Sequence, residues 1–389
     1  MENPAHGVDA AALMSLLPSR PRLLAVGEPT HGDETLLALR NELFVRLVEQ
    51  QGYRCVAIES DCLKGLVVDD HVTTGAGDLD EVMEGGFSHG AGAWRGNREL
   101  VRWLRAYNAG RPAAERVRFA GFDAPLEMTG AGSPRQALTA LHAYLAAHMD
   151  TGVRADVLDR LLGPDERWAD GGAMLDPSRS IGRSDAAGRL RLLADDLAAL
   201  LGAHAPELVA ATSREAWERA CLYARTAIGL LRYHARMADT APGRADAMMG
   251  LRDAMMAANL LALAERGPTL VHAHNRHLQR HRSTVLLGGL RVDWWSAGAQ
   301  LTARLGGAYA FVATAVGTIR HHGVGDPPPN TVEGLLHALP GDRFLVAGRE
   351  LDGAGLVPRD SPWYGYLPLG PADLTGSDAL CYVRDLPPG

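Results

Sequence analysis

Short apolar runs alternate with stretches of helical periodicity along the first third of the chain. This alternation predicts βαβ units on a mainly parallel sheet. Residues 22–26, 55–58 and 117–120 read as strands, with helices over 34–50 and 97–108 between them. From about 134 to 266 the pattern is almost wholly helical. Leu190, Leu193, Leu197, Leu200 and Leu201 keep helical spacing, as do Trp217, Cys221, Ala224 and Ile228. One stretch there, 163–184, is rich in Gly, Asp and Ser and reads as a long loop, often a functional lid when it occurs in a compact domain. Strand candidates return at 269–273, 309–316 and 343–347, while 323–330, with three consecutive prolines, reads as a surface loop. The expected fold is α/β: a mainly parallel central sheet flanked by helices, with a large helical insertion. The expected division is an N-terminal α/β half over 1–130, a helical insertion or lid over 131–266, and C-terminal strands completing the sheet over 267–389. No internal repeat or low-complexity tract is visible.

Composition narrows the classes. With 389 residues, 47% of them hydrophobic, the chain can bury a large core in one big domain or two. Aromatics are only 6%, so that core is built from Ala, Leu and Val. A net charge of −7 argues against a nucleic-acid partner, which needs a basic face. The four cysteines have neither CxxC nor CxxxH spacing, so neither a disulfide framework nor a zinc knuckle is expected. The opening MENPAHGVDA lacks a signal-peptide pattern, and no apolar run approaches the roughly 18 residues of a membrane span. A cytoplasmic protein with no membrane partner is the expectation. Its oligomeric state is left open.

Chemistry-bearing residues gather where strands end. In an open α/β sheet, parallel neighbours end on one side and ligands bind in that crevice. Glu28 and His31, in GEPTHG, follow the first strand; Glu59 and Asp61, in AIESD, end the second; Asp123 follows the third. Gly27 and Gly32 permit tight backbone and close approach of a ligand. Thr30 or Asp33 can cap the next helix, whose N-terminus favours an anion. The bland alternative is that Glu28 and Asp33 only cap while His31 lies on the surface; the second acid cluster favours a site.

The stretch VHAHNRH sets His272, His274 and His277 directly after a strand, too many histidines to read as packing. His274 and His277 are favoured as site residues, with His272 read as structural. Arg252-Asp253, inside an apolar helix flanked by methionines, should be paired or catalytic, because isolated buried charge is costly. Arg40 on the first helix reads by itself as a solvated or ion-paired arginine. Trp94, in WRGN, completes the set.

Taken in order, GEPTHG, Arg40, AIESD, WRGN with WLRAYN, FAGFD, LRDAMMAAN and VHAHNRH resemble the erythromycin esterase family, from about Leu23 to about Arg320. The resemblance implies a hydrolase that opens macrolactone esters without a bound metal or cofactor. It implies a base at His31 with the acid of its motif at Glu28, an arginine at Arg40, the second-strand acid at Glu59 and the histidine pair at His274 and His277. Arg252 corresponds through a looser helix match. The chain departs from the family at Arg276, where relatives usually carry a small residue, often Gly. A long cation there either narrows the pocket, binds an acidic group, or points away beside Arg280 and Arg282. A short, aromatic-poor chain also sets the macrolide itself in question, though not the ester chemistry.

The expected mechanism is general-base hydrolysis of an ester or lactone. His31 activates water; Glu59, less readily Glu28, holds its tautomer; His274 and Arg40 stabilise the oxyanion; His277 supplies a proton to the leaving alcohol. Arg252, Asp123, Trp94 and Arg276 are expected around the substrate. No Gly-x-Ser-x-Gly elbow occurs, which disfavours a serine nucleophile. Two alternatives stay open. One is a natural-product tailoring enzyme that forms a lactone or transfers an acyl group. The other is a metal-dependent hydrolase using Glu28, His31, Glu59, Asp123, His274 and His277 as ligands.

Overall fold

In the computed structural model, which describes residues 5–127 and 130–388, the apolar runs become a seven-stranded sheet. Its strands are β1 (Leu23–Glu28), β2 (Cys55–Asp61), β3 (Arg118–Asp123), β4 (Thr269–His274), β5 (Tyr309–Thr318), β6 (Arg343–Val346) and β7 (Ala379–Asp385). Their spatial order is β6-β7-β5-β1-β4-β2-β3, and every neighbouring pair is parallel except β6 with β7. Every residue of β1, β4 and β5 is buried, as expected for parallel strands covered on both faces. The strands expected at 22–26, 55–58, 117–120, 269–273, 309–316 and 343–347 all form. Three of them, β1, β2 and β3, run two or three residues further, into the acids that end them.

Several elements were not anticipated, β7 and a hairpin among them. β7 is a short apolar run, LCYV, close to the C-terminus that pairs parallel with β5. Arg282–Leu287 and Leu290–Trp295 form an antiparallel hairpin turning through Gly288 and Gly289, both at positive φ, where a side chain would be strained.

The strand order decides the site. β1 and β2, consecutive along the first third of the chain, are not neighbours: β4 lies between them. Its register sets Glu28 opposite His274 on one side and Ile58 opposite His272 on the other. β2 carries a bulge between Ile58 and Asp61, one residue more than β3 over the same span, which re-aims the acids at its end.

Helices flank the sheet. α1 (Glu34–Gln51) starts on the Asp33 carboxylate, which accepts from the Thr35 and Leu36 amides, and stops at Gly52 in the left-handed region. α2 (Arg95–Asn108) has no cap of its own. Glu34 of α1 fills that role, accepting at 2.8 Å from both Arg95 N and Gly96 N. Between β3 and β4 lie α3 (Arg135–Ala146), α4 (Asp185–Ala203), α5 (Arg214–Met237) and α6 (Arg244–Ala264). The first three pack on one another through Leu138, Leu141, Leu190, Leu197 and Leu231. α6 returns to the sheet through Met256, Leu260 and Ala264. Among the described residues α6 alone is long and apolar enough to cross a bilayer, but here it is a core helix with Arg252 and Asp253 paired inside the protein.

Residues 163–184 are not a free loop. They form a string of short 3-10 turns pinned by Trp168, 1% exposed, whose Nε1 donates to Leu162 O at 2.8 Å. Gly182 lies so close to the His234 carbonyl that a Cβ would sit 1.9 Å from its oxygen. Polar composition concealed this anchoring, because one buried tryptophan and a close glycine hold the whole stretch.

Candidate active site

The site grows from the ends of β1, β2, β3 and β4. After β1 the chain turns at Gly32, φ 75°, beneath the face of Trp94, leaving room for no Cβ. This turn carries His31 back over Glu28, and His31 Nδ1 lies 2.8 Å from Glu28 Oε1. The other Glu28 oxygen meets His272 Nε2 at 3.0 Å, while His272 Nδ1 contacts Val26 O at 3.0 Å. Glu28 is thus a buried carboxylate between two imidazoles. Burial works against its charge, but His272 and His31 outweigh this and hold its carboxyl well below the usual range.

Glu59 is the second hub. Its Oε1 accepts from Arg252 Nη2 at 3.0 Å and lies 3.4 Å from His277 Nε2; its Oε2 accepts from the His274 amide at 2.9 Å and lies 3.8 Å from His31 Nε2. Burial opposes its ionisation, yet His277, His31 and Arg252 keep it ionised well below the usual range. Arg252 also forks onto Asp123, at 2.6 and 3.1 Å. His277 Nδ1 lies 2.7 Å from Asp253 Oδ1, and the other Asp253 oxygen accepts from Ala297 N at 2.8 Å. The charged pair inside α6 is therefore paired on both counts: Arg252 with two acids, Asp253 with a histidine.

Among His31, His272, His274 and His277 only His31 is open, its side chain 45% exposed; the others are buried. Protein nonetheless surrounds much of this partly exposed ring. That burial favours the neutral form, but the Glu59 and Glu28 charges prevail and raise His31 to about 9. Burial and the neighbouring His31 charge push His274 the other way, to about 3, so its ring is neutral. Its Nδ1 accepts from Arg276 N at 3.1 Å, which puts the proton on Nε2, 3.2 Å from Pro29 O. For His277, burial is outweighed by Asp253 and Glu59, and its proton affinity rises.

Several expected placements change. The nearer acid of His31 is Glu28, not Glu59, because the turn at Gly32 folds the ring back onto its own motif. Arg40 is only 1% exposed and donates to Asn97, Asn41 and Gly96, so it cannot reach a substrate oxygen. Burial lowers it to about 10, the Glu28 charge opposing; its influence on the site is the field it adds beneath Glu28. His272, read as structural, is a direct partner of Glu28. Arg276 neither enters the cleft nor joins Arg280 and Arg282. Its Nη2 donates to Pro368 O at 2.8 Å and its Nη1 to Gln279 Oε1 at 3.2 Å. Trp94 packs on Gly32 at the edge of the His31 loop.

His89 was missed. Its Nε2 lies 3.4 Å from Asp123 Oδ2 and its Nδ1 3.0 Å from Glu127 Oε2, on a backbone at φ 55°. Among the described residues it is the one non-glycine at positive φ, and a lone His in a glycine-rich turn offers no sequence signal. Among the described residues no three His, Cys, Asp or Glu side chains converge in a metal-ligating arrangement. Arg252 occupies the space between Glu59 and Asp123 where a shared cation would have to sit.

The chain matches the erythromycin esterase family over residues 48–367. The match begins after GEPTHG and Arg40 and runs past Arg320 into the segment where no motif was recognised. No curated protein matches the sequence. Three solved structures share the fold. A Bacillus cereus protein has TM-score 0.70 and 18% identity, covering 99% of this chain and 93% of its own. A succinoglycan biosynthesis protein has TM-score 0.70 and 16% identity, covering 98% and 94%. A mutant of the erythromycin esterase EreC in its open conformation has TM-score 0.66 and 16% identity, covering 96% and 92%.

Proposed function

As the chain belongs to the erythromycin esterase family, and is on that ground a hydrolase, we propose that it cleaves a carboxylic ester or lactone of a small molecule, with His31 as general base toward water. The observation that carries this reading is the 2.8 Å contact of His31 Nδ1 with Glu28 on a side chain that is partly exposed. Glu28 fixes the Nδ1–H tautomer, so deprotonated His31 presents the Nε2 lone pair to the cleft. Water attacks the acyl carbon as its proton passes to Nε2. The imidazolium so formed lies between Glu28 and Glu59, and it returns the proton to the leaving alkoxide as the tetrahedral intermediate collapses.

The charge on the acyl oxygen needs a donor. Arg40 is buried, and Arg252 commits its Nε and Nη2 to Glu59 and Asp123. The neutral His274, its Nε2–H at the same mouth, suits the task. His277 is engaged at both nitrogens, so the proton for the leaving group is assigned to His31. Because Arg252 supplies the positive charge among these acids, the chemistry is expected to need no metal.

The test is hydrolysis of a panel of aryl esters, small lactones and macrolides, before and after dialysis against chelator. A free acid product, unchanged by the chelator and lost in His31→Gln, is expected. Activity that vanishes with the chelator and returns with one divalent metal would replace this reading with a metal-dependent one. Ester formation with an added alcohol in preference to water would point to acyl transfer.

A further inference from the structure

The arginine of the VHAHNRH stretch, Arg276, closes a ring of contacts around the His31 loop. Arg276 N donates to His274 Nδ1, and the proton thereby placed on His274 Nε2 points at Pro29 O, 3.2 Å away. Pro29 O has a second donor, Leu367 N, at 3.0 Å. The next residue, Pro368, offers its carbonyl to Arg276 Nη2 at 2.8 Å, and Leu369 N donates to Glu333 Oε1 at 2.7 Å. The segment before it is held at Trp363, whose ring stacks on His322 with centroids 3.7 Å apart and planes 10° from parallel. Residues 363–369 are thus a strap across the loop between Glu28 and His31, fastened by the Arg276 side chain.

Resting on the hydrolase reading above, we propose that Arg276 is a positioning residue that fastens this strap so that His274 can serve the reaction. As oxyanion donor, His274 must turn its Nε2–H from Pro29 O to the substrate. A buried carbonyl left without a partner is unfavourable. Leu367 N keeps Pro29 O bonded through that exchange. Arg276 also acts at the other edge of the ring, since its amide holds the Nδ1 acceptor and so maintains the Nε2–H tautomer. A glycine at this position retains the amide but not the clamp.

The test pairs catalysis with amide hydrogen exchange in Arg276→Gly and Arg276→Lys, each checked for an intact fold by its unfolding midpoint. In Arg276→Gly the amides of Leu367 and Leu369 should exchange at least about tenfold faster. With misplacement of a positioned group, kcat should fall about ten- to a hundredfold while KM changes little. Added guanidinium should restore part of kcat in Arg276→Gly and none in wild type, which loss of general stability would not produce. Arg276→Lys, able to reach only one carbonyl, should lie between. Unchanged exchange across 363–369 in Arg276→Gly overturns the clamp, and faster exchange with unaltered kcat overturns its catalytic part. If wild-type protein hydrolyses no member of the ester and lactone panel, the hydrolase reading fails and with it the role of His274, while the exchange result still decides the clamp.

Discussion

Gly27 and Asn275 make each other necessary. Asn275 follows β4, and its side chain crosses the end of β1 to reach β5, donating to Thr314 O at 2.9 Å and accepting from Thr314 N at 3.2 Å. It passes where a Cβ on residue 27 would be, 2.1 Å from Asn275 Oδ1. One glycine thus lets a single amide link β4 to β5 across the end of β1, immediately below Glu28 and His274.

Gly27→Ala should therefore displace Asn275 and destabilise the protein by about 1–3 kcal/mol, the range for overpacking a filled interior. Activity should fall with it, because Glu28 follows Gly27 directly and His274 precedes Asn275. Denaturant unfolding of Gly27→Ala, Asn275→Ala and the double variant measures the coupling. Strict additivity would show that the two positions do not communicate.

His31→Gln should remain folded and lose about 10²–10⁴ in rate, the range for a lost general base. Since the surrounding carboxylates raise His31 to about 9, the neutral base is scarce at pH 7, and kcat/KM should climb with pH along a limb near that value. Glu28→Gln removes one of the charges that raise it, so the limb should move to lower pH. A limb unmoved by Glu28→Gln would assign the titration to another group.

The same groups set the pH dependence of stability. Glu28 has a folded pKa below its unfolded value. Its contribution is present above about 4.3, the ordinary glutamate value, and is lost as pH falls through the lower folded value. His31 is the opposite case: its contribution is complete below about 6.5 and lost as pH rises through about 9. The partly exposed ring makes this alkaline effect the smaller of the two. Urea midpoints measured from pH 3 to 10 should fall at the acid end in wild type and fall less in Glu28→Gln.

Arg252→Met would leave Glu59 and Asp123 as buried acids without their shared cation. Breaking such a network by removing one partner costs about 3–5 kcal/mol, so a large drop in thermal midpoint is expected. Arg252→Lys keeps the charge but not the fork and should lose less. Equal midpoints for wild type and Arg252→Met would mean that the two acids take up protons without penalty.

Much of this molecule could be read from local pattern alone. The strand ends carrying Glu28, Glu59 and Asp123, the capped helix after Asp33, and the cluster His272, His274 and His277 all follow from periods and spacings along a few residues. Chain geometry enforces these features whatever the distant partners are. Pairing between distant parts of the chain is another matter. That β4 enters between β1 and β2, with His274 opposite Glu28, depends on how the whole sheet packs, and no local run encodes it. The choice of Glu28 over Glu59 as partner of His31 depends on the turn that Gly32 makes beneath Trp94, a residue from another element. Arg40 reads as a surface arginine until α2 covers it. Arg276 can be read as lining a pocket or pointing away until Pro368, nearly a hundred positions later, accepts its guanidinium. Local periodicity decides which side chains leave a strand or a helix, and long-range packing decides what they meet.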